Sequence, residues 1–180
     1  NPGTLGDWLT NRGAVMFSIE KDGRRQLFSE FSKKRIIREF PFVRNDYKGS
    51  PLTKVTFTTE AFCPLGVNDA EISALPVLML EICCSNPTSK EEHFTLVAQP
   101  DENLAEDMIS CENDGYTGIS NKHNCQITTD QTESAWAGQR LSIPVSLRAG
   151  EKKKVKILFA FRDENWISGI NFWTLDELSS

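Results

Sequence analysis

Few residues of this chain have the type and spacing that catalysis requires. The two histidines, His93 and His123, fall in a predicted strand and in a polar loop, so no single element presents both of them. A nucleophilic site needs a serine or cysteine that converges with a histidine and a carboxylate. The sequence contains no G-x-S-x-G elbow, P-loop or H-E-x-x-H helix that would bring such groups together. We therefore predict that this chain alone has no catalytic residue and that both histidines are structural or at the surface.

Glu60 is the carboxylate whose position invites a catalytic interpretation, because it lies just before Phe62 in a strongly predicted strand. Glycosidases use two carboxyl groups about 5–10 Å apart. The spacing of the other acidic residues nominates no second member of such a pair. We therefore interpret Glu60 as structural.

The cysteines, at positions 63, 83, 84, 111 and 125, lack the paired spacing of a zinc site. Cys83 and Cys84 are adjacent, and neighbouring residues of a strand point to opposite faces, so the two cannot bind one ion. An odd number of cysteines in a chain of this size is typical of reduced thiols in a cytoplasmic protein. The sequence thus predicts no metal, no cofactor and a cytoplasmic location.

The tryptophans are the candidates for contact with a ligand, because aromatic rings stack on sugar rings and also carry a polar group. Trp136 lies in a stretch of small residues, Ser134–Gly138, that is interpreted as an exposed loop. Trp166 and Trp173 lie near the end of the sequence, and Trp8 lies near its beginning. We expect Trp136, Trp166 and Trp173 either to contact a carbohydrate or another domain, or to close the ends of a core.

The composition limits the number of domains and the kind of partner. A length of 180 residues fits a single domain. A net charge of −5 and a pI near 5.1 argue against a nucleic-acid or anionic-membrane surface. No apolar run approaches the roughly 18–20 residues that a membrane-spanning helix needs. We expect neither nucleic acid nor a membrane span.

The strongest structural pattern lies between Lys54 and Asn86. Val55, Phe57 and Thr59 alternate with polar residues, which predicts a half-buried strand. The run VLMLEICC that follows is nearly all apolar, as in a strand covered on both faces. The connection between the two is too long for a tight hairpin, so it is predicted to cross from one sheet to the other.

The rest of the chain shows the same short strands with turn signals between them. Asp22-Gly23 predicts a hairpin turn, and Asn86–Lys90 predicts another, while Lys34–Phe40 fits a helix or a strand. Further strands are predicted at Ala14–Lys21, Gln26–Glu30, Glu92–Gln99, Met108–Glu112, Tyr116–Ser120, Cys125–Thr129, Leu141–Leu147 and Lys152–Arg162. This spacing is typical of an all-β, antiparallel two-sheet β-sandwich. Residues 1–180 are predicted to form one such domain, with an irregular segment at 1–13 and a C-terminal extension at 163–180.

Four blocks of the sequence form a recognisable set. They are Phe40-Pro41-Phe42, Glu60-Ala61-Phe62 with Pro64-Leu65, Ala74-Leu75-Pro76-Val77 with Leu80-Glu81-Ile82 and Asn86, and Pro144-Val145 with Leu147, Ala149-Gly150-Glu151 and Val155–Phe161. Together these blocks resemble the N-terminal β-sandwich domain of glycoside hydrolase family 116, the family of the non-lysosomal glucosylceramidase and bacterial β-glucosidases. Their order and spacing match over roughly residues 13–162. The sequence departs from the family pattern at Ala149, at Cys63 and after Arg162.

In that family the catalytic residues lie in a C-terminal helical barrel domain, to which nothing in this sequence corresponds. The resemblance therefore implies a non-catalytic accessory domain that packs on a helical catalytic domain of the same parent chain and shapes its cleft. Two alternatives stay open. The chain is either a free-standing carbohydrate-binding module that uses exposed aromatic rings, or a plain protein-interaction domain.

Overall fold

The fold consists almost entirely of antiparallel strands, which confirms the predicted all-β sandwich. It was determined as a computed structural model that describes residues 15–39, 42–63, 77–100, 109–113, 116–120, 125–131, 133–137 and 140–161. The segments predicted as an irregular N-terminus, at 1–13, and as a C-terminal extension, at 163–180, lie outside these residues.

Two sheets form the sandwich. The smaller sheet has the strand order β11-β12-β7-β1-β2, with bounds β1 Val15–Lys21, β2 Arg24–Leu27, β7 Glu92–Pro100, β11 Ala135–Ala137 and β12 Arg140–Leu147. The larger sheet has the order β3-β4-β5-β6-β13-β10-β9-β8, with bounds β3 Lys33–Glu39, β4 Phe42–Lys48, β5 Thr56–Phe62, β6 Val77–Ser85, β8 Ile109–Asn113, β9 Tyr116–Ser120, β10 Cys125–Thr129 and β13 Lys152–Phe161. A short 3-10 turn, Phe28–Glu30, connects β2 to β3.

The hairpin between β1 and β2 forms where Asp22-Gly23 predicts it. Both residues have positive φ, 52° for Asp22 and 71° for Gly23. Two consecutive positive φ angles are the geometry of a type I′ turn, whose twist matches that of the flanking strands. The predicted strand at Gln26–Glu30 is corrected in part. β2 ends at Leu27, and the chain then turns inward so that Phe28 and Phe31 enter the core.

The core lies between the sheets and is built from the alternate residues of their facing strands. Ile19 and Ile143 of the smaller sheet and Ile82 of the larger sheet are fully buried. Phe57 lies at one end of the core, with its ring centroid 5.4 Å from Phe28 and 5.5 Å from Phe94. Burying a side chain such as that of Phe57 contributes about 1.5–3 kcal/mol.

The alternation predicted for Val55, Phe57 and Thr59 is confirmed, since all three residues are buried.

The connection after β5 does not cross between sheets, contrary to the sequence prediction. β5 and β6 are direct antiparallel neighbours in the larger sheet, in a register that runs from Thr56↔Ser85 to Phe62↔Met79. A long connection is compatible with a wide hairpin as well as with a crossing, because its length alone does not specify which strand pairs with which. The near-continuous apolar run of β6 is nevertheless buried on both faces, at Val77 and Met79 on one and at Ile82 and Cys84 on the other.

The crossing between sheets comes directly after β6. Residues 86–91 lead from β6 of the larger sheet to β7 of the smaller sheet, so the predicted hairpin turn at Asn86–Lys90 is wrong. Residues 148–151 cross in the opposite sense, from β12 to β13. The backbone N–H of Asn86 donates to the carbonyl of Glu151 at 2.9 Å. The two crossings are therefore joined at one end of the sandwich.

Two strands are present that the sequence patterns do not predict. β4 carries Arg44, Asp46 and Lys48 on one face, so its charge conceals a strand that pairs on both sides. β11 is a three-residue edge strand within the stretch interpreted as a loop around Trp136. The ambiguous Lys34–Phe40 segment is a strand, since β3 spans Lys33–Glu39. Pro144 lies in β12 beyond the residues that pair with β11, a position that suits a residue without an N–H to donate.

Candidate docking surface

The residues nominated as possible ligand contacts are only partly placed by the structure. Trp136 lies in β11, at the edge of the smaller sheet, where its backbone pairs with Leu141. Trp166 and Trp173, with Trp8 and His123, lie outside the described residues. His93 is 64% exposed on β7, with its Nδ1 3.0 Å from Ser146 Oγ. The interpretation of His93 as a surface residue is confirmed, and the role of the tryptophans stays a prediction.

Glu60 has a carboxylate neighbour that sequence spacing did not identify. On the outer face of the larger sheet, meaning the face turned away from the smaller sheet, Glu60 pairs directly with Glu81 of β6. The signal is the strand register, which the sequence does not contain. Glu81 accepts a hydrogen bond from Lys154 Nζ at 2.8 Å, and this bond, with the charge of Glu81, raises the pKa of Lys154 above its ordinary value.

The charges around this carboxylate pair are arranged across the strands. Arg44 pairs with Glu60 on β5, and Lys156 pairs with Glu81 on β6. Opposite charges directly across a sheet stabilise it by roughly 0.2–1 kcal/mol per pair. Because each carboxylate has a cationic cross-strand neighbour and both side chains are partly exposed, the row forms a charged surface ladder. It lacks the desolvated environment that prepares an acid–base pair.

A second cross-strand row lies two residues further along the strands and is apolar. The registers place its members side by side on the outer face: Phe42 of β4, Phe62 of β5, Met79 of β6 and Leu158 of β13. The rings of Phe42 and Phe62 are in contact, with centroids 5.4 Å apart. We call these four residues the apolar row. They point away from the core between the sheets, so the larger sheet has apolar surface on both of its faces.

Exposure varies along the apolar row. Met79 and Leu158 are only 3% and 7% exposed, although they face away from the core, whereas Phe42 at the end of the row is 39% exposed. Val77, also on this face, is 6% exposed. The centre of the row is therefore already shielded from solvent within this chain, whereas its aromatic margin at Phe42 is accessible. The ladder of Arg44, Glu60, Glu81 and Lys156 borders the row. An exposed aromatic ring bordered by charged residues is a composition found at protein–protein interfaces.

Metal binding and thiol chemistry have no support in the described part of the chain. No group of three histidine, cysteine or acidic side chains there is arranged to hold a metal ion. Cys84 is buried in the core, and burial, with a smaller contribution from Cys83, raises its pKa to about 12. Burial likewise raises the pKa of Cys63. Raised pKa values leave both thiols protonated, which is the opposite of what a nucleophile or a metal ligand requires.

Comparison with known proteins places the fold but not a family. No protein-family model and no curated protein matches the sequence. Among solved structures, the fold matches a putative kojibiose phosphorylase from the human microbiome, with a TM-score of 0.53 and 8% sequence identity. The match covers 82% of this chain but 22% of that one. The likeness shows a shared β-sandwich fold, and this chain corresponds to about a fifth of the matched protein.

The described residues contain no helix that is long and apolar enough to cross a membrane.

Proposed function

We propose that this chain is the non-catalytic β-sandwich domain of a β-glucosidase-like or glucosylceramidase-like enzyme, similar to that of glycoside hydrolase family 116. The domain packs on a helical catalytic domain of the same parent chain through Phe42 and Phe62, the accessible margin of the apolar row on the outer face of its larger sheet. The observation that carries the proposal is the contact between Phe42 and Phe62 on this face, because Phe42 leaves apolar ring surface exposed outside the core. The match to one part of a much longer phosphorylase supports it.

The same geometry supports a structural role rather than catalysis by this chain. Glu60 and Glu81, the one carboxylate pair that strand register brings together in the described sheet, are bordered by cations on a partly exposed surface. A domain docked against the apolar row would cover Phe42 and Phe62 and meet the charged ladder at its rim. The free thiols of Cys63, Cys83 and Cys84 fit a cytoplasmic enzyme.

The first experiment measures hydrolysis of an aryl β-glucoside by the purified 180-residue chain and by the parent protein. The proposal expects turnover by the parent protein and none by the chain. Turnover by the chain at a rate typical of enzymes, roughly 1 s⁻¹ or more, would overturn it. So would a parent sequence that contains no helical domain.

The second experiment locates the docking surface with two neighbouring residues. Phe42 and Val43 are 39% and 41% exposed, but they point to opposite faces of β4. In the parent protein, Phe42→Glu is expected to weaken the contact between the domains and to separate their thermal transitions. Val43→Glu makes the same chemical change on the other face and is expected to leave the contact intact. Equal effects of the two variants would show that the outer face is not the docking surface.

The carbohydrate-binding alternative depends on aromatic rings such as those of Trp136, Trp166 and Trp173. It predicts a change in tryptophan fluorescence when oligosaccharides are added to the chain alone. A saturable change that Trp136→Ala abolishes would support a binding module, and the docking proposal expects none.

A further inference from the structure

The outer edge of the larger sheet is a basic strand on an acidic protein. From Lys33 to Glu39, β3 reads KKRIIRE and contains four basic residues and one acidic residue. The whole chain has a net charge of −5. Because positive charge is concentrated on this one strand, the edge attracts a negatively charged partner.

The backbone of β3 is available to a further strand. β3 pairs with β4 without a bulge, from Lys33↔Lys48 to Glu39↔Phe42, and the described residues contain no strand on its other side. In an antiparallel pair, the N–H and C=O groups of every second residue point away from the partner. Such an edge can accept an extended chain as an added strand unless proline or a bulge prevents it. β3 contains neither.

The side chains of β3 define what kind of chain would fit. Ile36 is 61% exposed and shares a face with Lys34 and Arg38. The Lys34 ammonium donates to the Ser29 carbonyl. Within the described residues, no acidic side chain forms an ion pair with the basic residues Lys33, Arg35 and Arg38. A strand beside β3 would therefore place acidic residues next to the cations and an apolar residue next to Ile36.

We propose that β3 binds an extended acidic segment of a partner protein, which joins the larger sheet as its ninth strand. In antiparallel orientation the complement of KKRIIRE is KEVVEEE, with acids opposite the four cations and valines opposite Ile36 and Ile37. A second copy of this chain does not fit, because antiparallel pairing about Ile36 places Lys34 opposite Arg38 twice. This inference is independent of the proposed docking through the apolar row.

An anionic membrane would match the charge of β3 but not its geometry. Ile36 and Ile37 point to opposite faces of the sheet, so they cannot enter one lipid surface together. A lipid surface also leaves the backbone groups of the edge without partners. An extended polypeptide satisfies the backbone groups and both faces at once.

The test uses the 180-residue chain with a synthetic peptide built around KEVVEEE and a charge-reversed peptide built around EKVVKKK. The acidic peptide is expected to bind and to slow hydrogen exchange of the amides in β3, and the reversed peptide is expected not to bind. In the double variant Lys34→Glu/Arg38→Glu, affinity should fall by about tenfold or more, because two attractions become repulsions. The control Lys90→Glu/Lys152→Glu makes the same change of net charge at exposed sites away from β3 and should bind like the wild type.

Three results would overturn the proposal. They are equal losses of affinity in the two double variants, binding that leaves hydrogen exchange of β3 unchanged, and displacement of the peptide by anionic phospholipid vesicles, which would identify a membrane contact instead. Circular dichroism checks that the β3 variant is folded. If it is not, the comparison of the two peptides on the wild-type chain, with hydrogen exchange of β3 as the measurement, decides the question.

Discussion

The side-chain amide of Asn86 donates a hydrogen bond to the backbone carbonyl of Leu147, 3.2 Å away and 61 residues further along the chain. The same Nδ2 group also donates to the carbonyl oxygens of Arg148, at 3.0 Å, and Lys90, at 2.7 Å. Its Oδ1 accepts from the N–H and the hydroxyl of Thr88. Asn86 is 1% exposed, so one buried amide holds together the two segments that cross between the sheets.

Replacing Asn86 by alanine is expected to destabilise the fold by about 2–4 kcal/mol, because one buried and two partly buried backbone carbonyls lose their hydrogen-bond donor at once. Urea unfolding of the purified chain measures the change. Asn45→Ala is the matched control, since the side chain of Asn45 makes one long hydrogen bond to the described part of the chain, 3.4 Å to Thr59 Oγ1, on a partly exposed strand. We expect a loss below about 1 kcal/mol there. Equal losses for the two variants would show that Asn86 does not join the crossings.

Glu92 is expected to make stability depend on pH. Its Oε2 accepts hydrogen bonds from Lys21 Nζ at 2.6 Å and from Thr53 Oγ1 at 2.9 Å. Burial alone would raise the pKa of Glu92, but these two hydrogen bonds and the charge of Lys21 outweigh burial, so the pKa is lowered. Because the pKa is lower in the folded state, Glu92 contributes its full stabilisation when the pH is above its pKa in the unfolded chain, about 4.3. That stabilisation is lost as the pH falls through the pKa of the folded state.

The variant Glu92→Gln tests this dependence. At pH 7 it should be less stable than the wild type by about 1–2 kcal/mol, and the difference should shrink as the pH falls below about 4. Glu91→Gln is the control, because the Glu91 side chain is 56% exposed. Urea unfolding of the three proteins at several pH values measures both effects. A difference for Glu92→Gln that stays constant down to low pH would contradict the assignment.

Local patterns in the sequence predict local structure, but they do not specify which strands pair with each other in the sheets. Asp22-Gly23 and the alternation of Val55 and Phe57 depend on neighbouring residues, and the structure confirms both. The position of the crossing was wrong, because it depends on which strands pair. The apolar row and the neighbouring carboxylates of Glu60 and Glu81 also depend on strand pairing. They can be identified only once the register of β5 and β6 is known.

Thiol labelling tests the environment of the core cysteine. With its pKa raised to about 12, Cys84 stays protonated at ordinary pH and is fully buried. Treatment of the folded chain with iodoacetamide at pH 8, followed by peptide mass mapping, should leave Cys84 unmodified. After unfolding in urea, its pKa returns to about 8.5 and labelling should be complete. Modification of Cys84 in the folded chain at a rate comparable to that of its partly exposed neighbour Cys83 would show that the core opens frequently.

Phe57 and Phe42 separate the contribution of the core from that of the apolar row. Phe57 is 1% exposed, and its ring contacts Phe31 as well as Phe28 and Phe94, with centroids 5.4–5.6 Å apart. Phe57→Ala should therefore cost the isolated chain about 3–5 kcal/mol, as the lost burial and the resulting cavity add. Phe42 is 39% exposed and, within the described residues, contacts one ring, that of Phe62, so Phe42→Ala should cost less than about 1.5 kcal/mol.

In the parent protein the contribution of Phe42 should increase, because docking would bury the part of the ring that the isolated chain leaves exposed. The loss of unfolding free energy caused by each substitution is therefore measured twice, once in the isolated chain and once in the parent protein. We expect Phe57→Ala to cause the same loss in the isolated chain and in the parent protein, since Phe57 packs within the core of the sandwich. If Phe42→Ala also causes the same loss in the isolated chain and in the parent protein, no domain covers the outer face of the larger sheet.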